Sequence, residues 1–201
     1  MLTFNEETHE YTLDGRKLIS VTQLMQKHNL SPSYSNVSVE VLQKKAERGS
    51  LVHKEIEDYN KTKDIGFTFE LGLYKKYINE NNVDVIESEM QVHNDIVAGT
   101  IDLVFYFKDN LYVCDIKTTY TLHKRAVRWQ LSIYCYLYWY KRFTDRDMLK
   151  KYYNTTLGQA YHFTKEKTLN VVDIPLRTFE EVEELMECER KGILYKGEEN
   201  E

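Results

Sequence analysis

Apolar and polar positions alternate with the two-residue period of a strand over residues 101–107 and 111–116, where Ile, Leu, Val, Phe and Tyr dominate. Between the two runs, Asp109-Asn110 suits a two-residue turn, because Asp and Asn tolerate positive φ. Such a turn pairs Lys108 with Leu111, sets Asp102 opposite Lys117 and sets Val104 opposite Asp115. Side chains alternate across a strand, so Asp102, Val104, Asp115 and Lys117 share one face. A three-residue turn would shift the register by one and separate the acids. A surface hairpin with solvated charges is the plainer reading of the same residues.

Elsewhere the period changes. The first twenty residues predict a short β-hairpin turning at Asp14-Gly15. Ser20 or Thr22 then caps a helix containing Leu24 and Met25. Val52, Ile56 and Tyr59 form a stripe at helical spacing, which predicts a helix over 38–60, with a break expected near Gly49. A second helix is expected over 70–80 and a strand over 83–92. Residues 123–143 read as a long aromatic helix. Residues 158–176 read as two strands with a turn near Glu166-Lys167. Thr178 caps a final helix whose early glutamates suit the positive helix end. This order predicts an α/β (α+β) fold with a central mixed β-sheet flanked by helices. One domain over 1–195 is expected, with an acidic, disordered tail at 196–201.

Composition narrows the class. The chain has 201 residues, two prolines and eight glycines, so no linker stands out. No apolar run reaches the length of a membrane span, and the polar, acidic start does not resemble a signal peptide. A cytoplasmic location with no membrane partner is the expectation. The three cysteines, Cys114, Cys135 and Cys188, lack CxxC spacing and fit reduced thiols. Net charge is −5, yet residues 117–151 alone carry +7 and the remainder −12. A basic segment therefore follows the hairpin directly. Most such runs are solvated helix faces, but this position also fits contact with phosphates.

Two acids and a lysine on the inward face of an apolar hairpin need compensation, which a divalent cation would give. Other residues suit the same chemistry. Gly49, His53 and Glu57 form GxxxHxxxE, placing His53 and Glu57 one helical turn apart on one face. A neutral imidazole there is a metal ligand in waiting. Glu89 precedes the strand that leads to Asp102. Gln130 and Tyr134 lie four apart on the aromatic helix. Each of these, taken singly, is as well explained by packing or solvation.

In this order, however, GxxxHxxxE, Glu89, GTID, DIKT and QxxxY closely resemble the PD-(D/E)XK nuclease superfamily, and within it the RecB-like exonuclease branch. The resemblance covers roughly residues 45–140. The opening HEYTLDGRKLISVTQLM is similar to the start of small phage-encoded members. The resemblance implies a restriction-endonuclease-like core. It implies that His53, Asp102, Asp115 and the main-chain carbonyl of Ile116 bind metal, that Lys117 is the signature lysine, and that Gln130 and Tyr134 stand beside the site. Glu57 takes a catalytic position and Glu89 a supporting one. Some relatives hold an iron–sulfur cluster through four cysteines; this chain has three in all, so no such cluster is expected.

Oxygen ligands with one imidazole suit Mg²⁺ or Mn²⁺. The expected activity is sequence-independent DNA exonuclease action in phage recombination, repair or replication, within the host cytoplasm. Lys124, Arg125 and Arg128 are expected to hold backbone phosphates. No GxxxxGK loop is present, so a helicase or strand-annealing partner would be a separate chain. A homo-oligomer is also compatible with this reading. Two alternatives stay open: a flap or branched-DNA endonuclease of the same fold, and a catalytically silent nucleic-acid-binding or inhibitory protein.

Overall fold

The computed structural model describes every residue except 6–7, 33–37, 64–65 and 198–201. Four of the six residues of the expected disordered tail therefore lie outside the described residues. The chain opens with an antiparallel meander, β1 (Leu2–Asn5), β2 (Glu10–Leu13) and β3 (Arg16–Ser20). Asp14 (φ 48°) and Gly15 (φ 82°) both adopt the left-handed conformation that a tight hairpin turn requires. Ser20 resolves the choice of cap for α1 (Val21–Lys27). Its hydroxyl accepts from Gln23 N–H, while the Gln23 side chain accepts from Ser20 N–H.

Next come α2 (Val39–Thr62), α3 (Phe69–Asn81), β4 (Asp84–His93), β5 (Val97–Phe107) and β6 (Asn110–Lys117). α2 continues through Gly49 without a break. Then follow α4 (Lys124–Tyr140), α5 (Arg146–Asn154), β7 (Leu157–Phe163), β8 (Leu169–Ile174) and α6 (Phe179–Lys191). Helix α5 has no counterpart in the sequence expectation. Its signals are present but short: Asp145 caps it by accepting from Met148 N–H, and Leu149 and Tyr153 bury one face.

The fold is mixed α/β, with a central sheet of eight strands between helices. Helices α1, α4, α5 and α6 cover one face. There Leu131, Ile133 and Leu137 pack in one cluster with Val104, Val113 and Ala160. Helices α2 and α3 cover the other, where Val52, Ile56, Leu71 and Tyr74 meet Leu103, Phe105 and Tyr161. Full burial of each such aliphatic side chain is worth about 1.5–3 kcal/mol before entropy is charged.

The hairpin turn differs from expectation. Lys108 and Asp109 form it, with φ of 48° and 62°, and Phe107 pairs with Asn110. Asn110 supports the turn from outside, its amide donating to Lys108 O at 2.9 Å. Stacking of Phe105 on Tyr112, 5.1 Å apart and 12° from parallel, favours this register. The turn lies one residue earlier than expected, so the pairing moves by two. An even shift keeps each side chain on its face, and Asp102, Asp115 and Lys117 still approach one another.

Strand β5 is the axis of the sheet and has an opening on one edge. β4 pairs along one side from Ala98 to Tyr106. On the other side β3 pairs in parallel at Val97 and Ala98, and β6 pairs antiparallel from Leu103 to Phe107. Gly99–Asp102 lie between these two partners. Over this opening α1 and α4 come close. A Cβ on Gly99 would fall 2.7 Å from a Tyr134 ring carbon and 2.8 Å from Val21 Cγ2, so only glycine fits there.

Candidate metal centre

Where β5 and β6 stop pairing, side chains take over their backbone groups. The final ladder pair is Leu103 with Cys114. Beyond it, the Asp102 carboxylate accepts from Ile116 N–H at 2.6 Å. The Ile116 carbonyl lies 3.2 Å from His53 Nε2. β6 remains anchored on its other side by parallel pairing to β7, with Asp115 beside Ala160 and Lys117 beside His162. The strand end is thus rigid on one side and chemically open on the other.

His53 arrives from α2, held by Val52 and Ile56, which flank it in the chain and are fully buried. Its Nδ1 lies 3.1 Å from Glu89 Oε1 and 3.5 Å from Asp102 Oδ1. Glu89 (φ 50°) falls between Ser88, paired with Leu103, and Met90, paired with Ile101, which sets it across from Asp102. His53, Glu89 and Asp102 present ligand atoms that all lie within 4.8 Å of one another.

Asp115 and Lys117 form the adjoining half. Asp115 is 1% exposed. Lys117 Nζ donates to Asp115 Oδ1 at 2.8 Å and to Gln130 Oε1 at 3.1 Å. Asp115 Oδ2 is equally close to that ammonium, at 2.8 Å, but makes no hydrogen bond and is buried. Gln130 Nε2 in turn donates to the Tyr134 hydroxyl at 3.4 Å, linking α4 to the site.

The electrostatics follow from crowding buried acids. Burial pushes the Asp102 carboxyl above its usual range, with Glu89 adding to the rise, while His53 and Lys117 oppose it. Burial likewise raises Asp115 to about 6, against the pull of Lys117. For His53, burial disfavours the charge, but Asp102, Glu89 and Asp115 outweigh it and lift the imidazole to about 9. Both His53 nitrogens accordingly face acceptors. Burial, with Asp102 nearby, holds the Tyr134 phenol well above its ordinary value, so it stays neutral.

These groups fit a divalent cation. The carboxylates of Glu89 and Asp102 and the Ile116 carbonyl surround the His53 imidazole, and in the adjoining Asp115 a buried carboxylate oxygen lacks a hydrogen bond; a hard cation suits such a donor set. The donor set suits Mg²⁺ or Mn²⁺.

The remaining expected residues divide. The half-buried Glu57 pairs with Lys61 and Lys54, and among the described residues no hydrogen bond or ion pair joins it to Glu89, Asp102 or Asp115. Glu89, expected only to support, stands inside the ligand group instead. Its signal in the sequence was position alone; the β4–β5 register that sets it across from Asp102 leaves no local pattern. Lys124 and Arg125 are exposed at the start of α4, whereas Arg128 is half-buried with its Nε enclosed. Much of the basic run is spent on structure: Arg146 bonds Glu183, Lys150 pairs with Glu180, and Arg142 lies over the Tyr138 ring at 3.6 Å.

No protein-family model matches this chain. No curated protein matches its sequence. Among solved structures, it is similar to the protein designated SSO0001 at 17% identity and TM-score 0.49, covering 90% of this chain and 78% of that one. It is also similar to a phage-related exonuclease from Haemophilus somnus 129PT, at 11% identity, TM-score 0.41, and coverage of 85% and 88%. For an alkaline exonuclease from Laribacter hongkongensis the values are 10%, 0.31, 87% and 93%. Among the described residues, no helix is long and apolar enough to cross a membrane.

Proposed function

We propose that this chain is a divalent-metal-dependent nuclease that hydrolyses phosphodiester bonds in DNA, working from strand ends as an exonuclease. The observation that carries the reading is the convergence of His53, Glu89, Asp102, Asp115 and the Ile116 carbonyl at the opening of the sheet, with Lys117 beside them. A structural role alone gives no reason to bury the like charges of Asp102 and Asp115 so close together, with the half-buried Glu89 beside them. The order of motifs along the chain supports the exonuclease branch.

His53, Asp102, Asp115 and the Ile116 carbonyl hold Mg²⁺ or Mn²⁺, and Glu89 completes or orients the set. When bound, the ion supplies Lewis acidity toward a phosphate oxygen and toward the attacking water. The chain's own groups do the rest. Lys117 is held between Asp115 and Gln130, so its ammonium is aimed before substrate arrives. It neutralises the negative charge that grows on the phosphoryl oxygens in the transition state. Gln130, braced by Tyr134, fixes the lysine on the α4 side. Lys124 and Arg125 hold backbone phosphates, contacts that carry no sequence information.

The test is cleavage of end-labelled linear DNA and a covalently closed circle with Mg²⁺, Mn²⁺ or EDTA. Degradation of the linear form that requires metal, with the circle intact, is expected. Nicking of the circle would remove the exonuclease assignment and leave the nuclease. Activity unaffected by both Lys117→Ala and Asp115→Ala would remove the site assignment itself.

A further inference from the structure

Lys117 is the last residue of β6, and the chain then crosses an irregular link, residues 118–123, to reach α4 and Gln130. The link joins two groups of the site, since Lys117 Nζ donates to Gln130 Oε1 at 3.1 Å. Its course therefore sets how the ammonium and the amide meet. A link without ladder or helix is held by whatever takes its backbone groups. Here a buried histidine does so. His162 stands on β7 as the parallel partner of Lys117 and is 7% exposed. Ala160, two residues earlier, packs in the cluster under α4, so His162 projects on that same side. Its Nε2 donates to the Thr119 carbonyl at 2.7 Å, two residues beyond Lys117.

We propose that His162 is a positioning residue for phosphodiester cleavage, holding the link by the Thr119 carbonyl so that Lys117 and Gln130 keep their mutual geometry. The inference rests on the nuclease reading and adds a residue to it. His162 is not in the ligand group, and among the described residues no hydrogen bond or ion pair joins it to Glu89, Asp102 or Asp115. Its influence therefore passes through the backbone of the link. The other contacts of the link are weaker anchors. The Thr119 hydroxyl donates to Thr121 O at 3.0 Å, within the link itself. Lys165 Nζ lies 4.3 Å from the centre of the Tyr120 ring, but that ring is 66% exposed, where such contacts are weak. The His162 bond comes from a buried side chain on a strand paired on both sides, by β6 and by β8. Such a bond is stronger and better fixed than one made in water. A shift of about 1 Å in a group that acts on the reacting atoms can lower a rate by about 100-fold.

The test is steady-state cleavage of end-labelled DNA at saturating Mn²⁺ by the unaltered chain and two variants. His162→Leu removes the donor at similar volume. His162→Gln keeps an N–H at about the reach of the imidazole Nε2. Melting midpoints in EDTA check folding. Should His162→Leu not fold, His162→Asn takes its place, being polar but too short to reach the Thr119 carbonyl.

His162→Leu is expected to lower kcat by about 10–100-fold with the KM for DNA unchanged, and to melt no more than about 4 °C lower. His162→Gln should restore most of the lost kcat. A kcat within about twofold of the unaltered chain in folded His162→Leu would overturn the proposal while the nuclease reading stands. So would a loss confined to KM, or one that His162→Gln does not recover. If no form cuts DNA with any metal, the nuclease reading fails, and the NMR signal of the Lys117 ammonium judges the tether. A shift or broadening in His162→Leu that His162→Gln reverses supports it, and an unchanged signal refutes it.

Discussion

The two ends of the β5–β6 hairpin are built from the same strands to opposite purposes. At the turn end every backbone pair forms, Phe105 stacks on Tyr112, and Phe105 packs against Tyr161 with ring centroids 5.9 Å apart. At the far end the ladder stops at Leu103 and Cys114, and Asp102, Asp115 and Lys117 occupy positions that an apolar residue would fill more stably. The first end is where folding free energy is gained. The second gives some of it up to hold charge in a fixed place, as functional sites do.

Substitutions should separate the ends. The largest effect is expected from Lys117→Ala, with cleavage falling by about a thousandfold or more in initial-rate assays and the fold retained. Nearly as large in free energy, but on stability, is Phe105→Ala. It should cost about 3–5 kcal/mol in urea unfolding, because it empties a fully buried ring site. Glu89→Gln comes next. It should weaken Mn²⁺ binding by roughly 10–100-fold in calorimetry, as loss of a group that holds a metal-binding histidine does.

A smaller effect of opposite sign is expected for Asp115→Asn in EDTA. The folded carboxyl, raised to about 6, lies above its unfolded value of 3.8. Its contribution to stability is therefore present at low pH and lost as pH rises from about 4 through about 6. At pH 7.5 the neutral amide escapes that loss and should stabilise the metal-free chain by about 1–2 kcal/mol, while abolishing cleavage. The smallest effect belongs to Glu57→Gln. It should change metal affinity and rate by less than about twofold, since among the described residues the ion pairs of Glu57 are to Lys54 and Lys61. A large effect there would extend the site one helical turn along α2, to Glu57.

The same contrast explains what the sequence made legible. Periodicity reports which face a residue takes, so the shared face of Asp102, Asp115 and Lys117 was readable even though the turn sits one residue earlier. Turn position depends on which residues accept positive φ, and Lys108 is not a residue type that advertises it. His53 and Glu57 were indistinguishable by helical spacing, because one turn of a helix puts both on one side. Whether each meets acids or water depends on how α2 lies across the sheet. The place of Glu89 across from Asp102 depends on the β4–β5 register, which joins residues distant from any local signal. Helix α5 was hidden because it is nine residues long and buries Leu149 and Tyr153, too few positions for a helical stripe to stand out. The basic run read as one feature, yet Arg142 lies over the Tyr138 ring, Arg146 and Lys150 pair with Glu183 and Glu180, and Lys124 and Arg125 stand exposed at the start of α4.

The central claim is that the open end of the hairpin is a cation site whose acids are strained without the ion. Its most direct test is the thermal midpoint of the unaltered chain and of an Asp102→Asn/Asp115→Asn double variant, each in EDTA and in excess Mn²⁺. Binding to the native state alone raises the midpoint. The unaltered chain should melt higher in Mn²⁺, and the double variant should melt higher than it in EDTA with no further gain from the ion. A Mn²⁺ shift that survives the double substitution, or no shift in the unaltered chain, would contradict the account.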